Sequence, residues 1–120
     1  MGRLVNNPLA EKSMLFAIRI VNLSKYLSSS KSEFVMSKQI LRSGTSIGAN
    51  IREAVESISR NEFIAKLYIS MKEARETEYW LELLYRTDYL LESEYQSLSS
   101  DCNELCKLLT SIIKTAKAKQ

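Results

Sequence analysis

Three carboxylates, Glu53, Glu73 and Glu76, form the one acidic cluster in the sequence with spacing worth testing as a reactive site. A di-iron helical bundle needs Glu-x-x-His pairs that point inward, and the 120-residue chain contains no histidine. The many serines, threonines and tyrosines therefore lack a histidine base, and no nucleophile turn is visible. We predict no catalytic residue, no cofactor and no small-molecule substrate. The carboxylates are interpreted as structural partners of polar groups on an adjoining helix.

The two cysteines, Cys102 and Cys106, lie four residues apart and share one face of a predicted helix. This spacing is poor for a disulfide within the chain. With no other cysteine and no histidine, no metal site is predicted, and the pair is interpreted as two small buried residues. No secretory segment and no membrane-length apolar run is present, so we expect a cytoplasmic protein without a membrane span.

Basic side chains are unevenly distributed along the chain, whose net charge is +3. Residues 1–60 contain nine Lys and Arg against four Asp and Glu, whereas residues 61–120 contain eight against ten. Such asymmetry is typical of a chain with an anionic partner, or of complementary packing between halves or subunits.

Five of these basic residues are candidates for contacts with nucleic-acid phosphates. A solvated face is one interpretation; the other is a phosphate-contacting surface, whose binding would depend on salt and be largely blind to sequence. No aromatic residues alternate with these basic residues, so the sequence does not indicate stacking on the nucleobases of a single strand. The candidates are Lys12 and Arg19 on the first helix and Lys38, Arg42 and Arg52 on the second.

Apolar residues at steps of three and four predict four helices that position these groups. One proline and three glycines also favour helices over tight-turned sheets. The predicted starts are Asn7-Pro8, the capping boxes Ser30–Glu33 and Ser59–Glu62, and Ser93 with Gln96. The sequence therefore predicts an all-α, antiparallel up-down-up-down four-helix bundle. It is a single domain over residues 1–120, with helices near 8–27, 31–58, 60–87 and 93–116 and a basic tail from Lys114 that is expected to fray.

The second predicted helix contains two interior glycines, Gly44 and Gly48. Each costs about 1 kcal/mol relative to alanine, which a close approach of a neighbouring helix would offset. A phosphate-binding loop is excluded because no strand precedes the glycines and no Gly-Lys-Ser/Thr follows them. One predicted stripe is Ile40, Gly44, Ile47, Ile51, Val55 and Ile58, and beside it runs a polar stripe of Ser43, Ser46, Asn50, Glu53 and Ser57.

These residues resemble a known family, the bacterial four-helix-bundle proteins encoded within intervening sequences of 23S ribosomal RNA genes. The likeness spans about residues 9–115, with Gly44 and Ser70 as mild departures. The motif residues Ser46, Asn50, Glu53, Glu76 and Trp80 lie within two segments, Gln39-Ile40-x-Arg42-Ser43-x-Thr45-Ser46-Ile47-x-Ala49-Asn50-Ile51-x-Glu53-Ala54 and Lys72-Glu73-Ala74-x-Glu76-Thr77-x-Tyr79-Trp80-Leu81, to which Phe63 adds a further match. More distantly the family resembles the accessory variability proteins of diversity-generating retroelements, which are basic pentamers that work with a reverse transcriptase and nucleic acid.

Apolar residues outside the simplest helix seams predict self-association. Large exposed apolar patches usually mark interfaces, and Tyr79 and Trp80 are the expected anchors because aromatic residues dominate interface energetics. The resemblance implies a pentamer and an association with RNA or DNA. We therefore predict a non-enzymatic homo-oligomer associated with nucleic acid, the alternative being a protein-binding scaffold without nucleic-acid contact. The surplus residues are Leu15, Ile18, Met71, Tyr79, Trp80 and Leu83.

Overall fold

Four antiparallel α-helices make up the structure, a computed structural model that describes residues 8–119. Contacts join α1 to α2, α2 to α3, α3 to α4 and α4 back to α1, so α1 and α3 occupy diagonal corners, as do α2 and α4. The bundle measures 47 × 21 × 20 Å. The predicted four-helix bundle is confirmed, although the predicted N-cap Asn7 lies outside the described residues. The helices are α1 (Pro8–Lys31), α2 (Val35–Val55), α3 (Arg60–Arg86) and α4 (Glu92–Ala118).

The core contains the apolar stripe of each helix, because residues three and four apart share one helical face. All four helices contribute side chains that are almost fully buried, so one continuous core holds the helices in register. The two cysteines are buried among them, as expected. Within residues 8–119, none of the helices combines the length and the apolar content that a bilayer span requires. The largest fully buried side chains include Phe16, Ile20, Leu27, Ile47, Leu67, Leu81, Leu105 and Leu109.

The corner between α1 and α2 differs from the predicted capping box at Ser30–Glu33. The first helix continues through Ser30 and ends at Lys31, where Ser32 adopts a left-handed φ of 53°. The backbone N–H of Glu33 then donates to the Leu27 carbonyl at 2.9 Å, which is a typical way to close a helix. Glu33 instead caps α2, since its carboxylate accepts from the N–H of Ser37 at 2.8 Å.

Buried serines explain why α1 runs further than its last apolar residue. The hydroxyls of Ser24 and Ser37 lie 2.8 Å apart, and the Ser37 hydroxyl also donates to the Ser24 carbonyl at 3.0 Å. Ser28 reaches the same Ser37 hydroxyl at 3.1 Å. These contacts fix the last two turns of α1 against the first turn of α2.

The second helix ends three residues earlier than predicted, at Val55. The Ser57 hydroxyl donates to the Ala54 carbonyl at 2.6 Å and competes with the helical hydrogen bonds there. Ile58, predicted on the buried stripe, consequently lies in the connection and is 94% exposed. Ser59 is the N-cap of α3, as predicted, because its hydroxyl accepts from the Glu62 N–H at 3.1 Å.

The fourth helix is longer at both ends than predicted. Its first turn is capped by Glu94, whose carboxylate accepts from the Leu91 N–H at 3.1 Å, and not by the predicted pair of Ser93 and Gln96. Its last turns stay helical to Ala118, so the expected fraying from Lys114 does not occur within the described part of the tail.

Close packing of α1 on α2 surrounds the helical glycines, as predicted. A Cβ atom built on Gly44 would lie 2.8 Å from Cγ1 and Cγ2 of Ile20, and one on Gly48 would lie 3.2 Å from the Ser13 hydroxyl. The glycine-rich segment is therefore continuous helix whose missing side chains let the backbones approach.

Candidate nucleic-acid interface

The outer face of α2 presents three of the predicted basic residues, Lys38, Arg42 and Arg52, which we call the α2 ridge. All three side chains are exposed, whereas Ile40 and Ile47 on the opposite face are fully buried. At a rise of 1.5 Å per residue, the fourteen steps from Lys38 to Arg52 span about 21 Å of helix. The apolar stripe of α2 thus fixes the direction in which the basic side chains point.

Two members of the α2 ridge are available to a ligand. Among residues 8–119, neither Lys38 nor Arg52 makes an ion pair or a side-chain hydrogen bond. The carboxylate of Glu56 lies one turn after Arg52 at the end of the ridge. Neutralising either cation with a phosphate would therefore break no contact within the described chain.

Arg42, the third member, binds two carboxylates of α3. Its Nη1 donates to Glu73 at 3.2 Å, and its Nη2 donates to Oε2 of Glu76. The same Oε2 accepts the indole N–H of Trp80 at 3.0 Å. The Trp80 hydrogen bond and then Arg42 lower the pKa of Glu76, and the hydrogen bond from Glu76 raises the pKa of Arg42. Arg42 thus links α2 to α3 while nearly half of its side chain stays exposed.

Lys12 and Arg19 lie along the boundary between α1 and α4. Lys12 Nζ pairs with Glu104 at 3.1 Å, and Arg19 pairs with Asp101 at 2.6 Å while it also donates to the Ser97 hydroxyl at 2.9 Å. Exposed pairs of this kind contribute only about 0–1 kcal/mol, so a phosphate can compete for these cations. The structure does not bring them together with the α2 ridge, because they face the other side of α1.

The polar stripe of α2 makes most of its contacts within its own helix. The Ser46 hydroxyl donates to the Arg42 carbonyl at 2.7 Å, and the Asn50 amide donates to the Ser46 carbonyl at 2.9 Å. Glu53 does reach α3, where it pairs with Lys66 at 2.7 Å. Ser46 and Asn50 therefore donate additional hydrogen bonds to backbone carbonyls of α2, and the ion pair of Glu53 links the end of α2 to α3.

Two buried hydroxyl groups also donate hydrogen bonds across the α2–α3 boundary. The Thr77 hydroxyl donates to Ser43 Oγ at 2.9 Å, and the Ser70 hydroxyl donates to the Ile47 carbonyl at 2.8 Å. All three hydroxyl-bearing side chains are fully buried. Ser70, a mild departure from the family pattern, thus acts as a hydrogen-bond donor in the core.

Two groups of exposed apolar residues lie on the helices predicted to self-associate, and we call them the α1 patch and the α3 patch. One lies on α1 and contains Met14, Leu15 and Ile18, each about half exposed; the other lies on α3 around Tyr79, which is 59% exposed. Trp80 is partly buried, since it packs against the core and stacks edge-on to Tyr79 with 5.1 Å between ring centroids. Because α1 and α3 are diagonal, the two patches face opposite sides of the bundle.

The lysines in the second half of α4 are absent from the sequence-based candidates. Residues 105–119 contain four lysines and no acidic residue. Lys117 donates to the Tyr68 hydroxyl at 3.1 Å and lies over the same ring, and all four lysine side chains are exposed. The signal in the sequence is the run of lysines without an acidic residue. These α4 lysines are Lys107, Lys114, Lys117 and Lys119.

A groove of about 510 Å³ lies between the first half of α1 and the second half of α2. Its lining is mostly small and apolar, with Arg52 and Glu56 as charged members. The Ser13 hydroxyl, which borders the groove, donates its hydrogen bond to the Ala10 carbonyl at 2.9 Å. No base lies beside a nucleophile among the lining residues, so this groove has no arrangement for acid–base or covalent chemistry.

Comparison with known proteins agrees with the predicted resemblance. The matching family model is that of the 23S rRNA-intervening sequence proteins, and it covers residues 6–111. A solved structure from Bacteroides thetaiotaomicron, described as a protein of unknown function from the S23 ribosomal protein family, is 62% identical with a TM-score of 0.88. The alignment covers 88% of this chain and 98% of that one, and no curated protein matches the chain. Neither description names a catalytic activity. The chain belongs to the 23S rRNA-intervening sequence protein family.

Proposed function

We propose that the protein is a non-enzymatic homo-oligomer that associates with nucleic acid through backbone phosphates. The observation that supports this most is the α2 ridge, in which Lys38 and Arg52 are exposed and unpaired within residues 8–119. Phosphate contacts by such residues position a protein on RNA or DNA without reading its sequence. The description of the family, which refers to 23S rRNA, makes structured RNA the first ligand to test.

One chain offers too few phosphate contacts for strong binding, so assembly is part of the proposal. Two or three contacts give a weak, salt-sensitive complex. A ring repeats one contact between two different faces around a closed circle, and the α1 and α3 patches provide two different faces of the bundle for such a contact. Five copies would carry a net charge of about +15 and bind by multivalency. We therefore propose a homopentamer.

We further propose a cytoplasmic location for this assembly. Structured RNA is found there, and Cys102 and Cys106 are free thiols, which persist in a reducing compartment.

A protein-binding scaffold is the second candidate function. The exposed patch of Met14, Leu15 and Ile18 favours it, because an apolar surface can bind another polypeptide as well as a second copy. The two functions differ in their response to phosphate. Titration of duplex RNA and of a folded RNA at low and raised salt separates them, since a scaffold would bind neither at low salt with its oligomer intact.

Light scattering tests the assembly. We expect a mass near five times 13.7 kDa for the wild type, and a fall to the monomer in Ile18→Asp and in Tyr79→Asp with helical circular dichroism unchanged. Val35→Asp is the matched control, because Val35 is 72% exposed but lies outside both patches. A wild-type monomer would remove the ring. Tyr79 is a cleaner probe than Trp80, whose substitution would also disturb the core and the bond to Glu76.

A further inference from the structure

We propose that Cys102, Cys106 and Glu78 bind one thiophilic d¹⁰ divalent cation, Zn²⁺ or its analogue Cd²⁺, between α3 and α4. The two Sγ atoms and a carboxylate oxygen all lie within 4.8 Å of one another. A tetrahedral zinc ion with bonds of about 2.3 Å to sulfur and 2.0–2.2 Å to oxygen places its ligands about 3.5–3.8 Å apart. Small side-chain rotations would therefore bring all three donors onto one ion.

Helix geometry explains how these residues meet. Cys102 and Cys106 are one turn apart on α4 and both are almost fully buried against α3. The S–H of Cys102 reaches the Ala74 carbonyl of α3 at 3.4 Å, and Glu78 lies one turn beyond that alanine. The third donor thus comes from a different helix, which the Cys-x-x-x-Cys spacing alone could not indicate.

Both thiols give up their protons to solvent when the cation binds, as ligand deprotonation requires.

The charge around the cluster matches a divalent ion. Two thiolates and one carboxylate carry a charge of −3, and a divalent cation leaves −1. Arg75, whose Nη1 donates to Glu78 at 3.1 Å, supplies the remaining positive charge and holds one carboxylate oxygen in place. The occupied site would be neutral, as a half-buried ion cluster should be.

Solvent reaches the Glu78 side of the cluster along the surface between α3 and α4. Glu78 lines an open groove of about 450 Å³ together with Glu82, Gln96, Ser99 and Asn103. This groove gives the ion an entry path and provides water for the fourth tetrahedral position. The bound ion would join α3 to α4 and stabilise the folded chain by mass action.

Cadmium titration of the reduced, metal-free full-length protein tests the site. We expect a saturable thiolate-to-cadmium absorption band at one Cd²⁺ per chain, and displacement of Cd²⁺ by Zn²⁺. Cys106→Ser should abolish the band. Glu78→Gln, at a partly exposed position that leaves both thiols intact, should weaken Cd²⁺ binding about tenfold or more, at least as much as loss of an outer-shell partner does.

Glu82→Gln is the matched control, because Glu82 lines the same groove and pairs with Arg86. It should bind Cd²⁺ like the wild type. Absence of a saturable band in the wild type would overturn the site. Equal affinity in Glu78→Gln and the wild type would also overturn it, since the thiols would then be acting without the third ligand. Circular dichroism of each variant establishes that it is folded, and if Cys106→Ser is not, the comparison of Glu78→Gln with Glu82→Gln decides.

Discussion

Replacement of Gly44 by alanine tests how closely α1 and α2 approach. The new Cβ would lie 2.8 Å from two side-chain atoms of Ile20 and 3.2 Å from its Cβ. A β-branched residue has one strongly preferred rotamer in a helix, so these atoms cannot move without a shift of α1. Overpacking of this kind costs about 1–3 kcal/mol, against about 1 kcal/mol gained from the helix propensity of alanine. We expect Gly44→Ala to lower the free energy of unfolding by about 1 kcal/mol.

Gly48→Ala is the internal control for this prediction. Its Cβ would meet the Ser13 hydroxyl at 3.2 Å and other Ser13 atoms at 3.6 Å, and a hydroxyl can rotate away. The propensity term should therefore prevail and stabilise the fold by up to about 1 kcal/mol. Urea unfolding at one fixed protein concentration measures both variants, since the stability of an oligomer depends on concentration.

A double-mutant cycle with Ile20→Ala identifies the cause. That substitution alone should cost about 2–5 kcal/mol, but it removes the atoms that Gly44→Ala would meet. In its background, Gly44→Ala should become stabilising by about 1 kcal/mol, which gives a coupling energy of about 2 kcal/mol. If Gly44→Ala behaves like Gly48→Ala, or costs the same in both backgrounds, close approach of the helices does not explain the glycine.

Three further predictions concern the helix ends, the core and acid stability. Ser59→Ala should cost about 1 kcal/mol because it removes the N-cap of α3, whereas Ser30→Ala, within α1, should be nearly neutral; equal costs would contradict the assignment of the caps. Ser70→Ala removes a buried donor and should cost about 0.5–1.5 kcal/mol in the same urea assay, and no loss would show that this hydrogen bond does not stabilise the fold. The Trp80 hydrogen bond holds the pKa of Glu76 below its ordinary value of 4.5, so Glu76 stabilises the fold above that value and this stabilisation is lost as pH falls through the lower, folded pKa. Thermal unfolding between pH 7 and about pH 3 should accordingly show a steeper acid loss in the wild type than in Glu76→Gln, and parallel profiles would refute this linkage.

Helical periodicity was sufficient to predict the fold, because each helix places apolar residues on one face. The corners were less predictable. The Ser-x-x-Glu pattern at Ser30 matched a capping box, but the buried contact of Ser28 with Ser37 extends α1 past it. The periodicity predicts that Ile58 lies on the buried stripe of α2, but the helix ends at Val55. It ends there because the Ser57 hydroxyl donates to the Ala54 carbonyl and competes with the helical hydrogen bonds. Local pattern could not reveal these tertiary and side-chain effects.

For the candidate interface, the sequence predicts which basic side chains are exposed but not which carboxylates they pair with. The helical wheel placed Lys38, Arg42 and Arg52 opposite the apolar stripe of α2, and the structure exposes all three. Whether a basic side chain forms an ion pair depends on how neighbouring helices align along their axes, and the local sequence of one helix does not determine this alignment. Arg42 meets Glu73 and Glu76 only because α2 and α3 align at that height.

The salt dependence of RNA binding tests the central claim most directly. Affinity of the wild-type oligomer for a structured RNA should fall steeply with salt, and removal of one phosphate-binding side chain should reduce the logarithmic slope by about one. The double variant Lys38→Gln, Arg52→Gln should therefore show a slope smaller by about two units for each engaged chain. The charge-matched control Lys25→Gln, Lys72→Gln, which removes two exposed lysines outside both the α2 ridge and the α4 lysines, should keep the wild-type slope. Equal slopes in the two double variants, or no binding at low salt with the oligomer intact, would contradict the account.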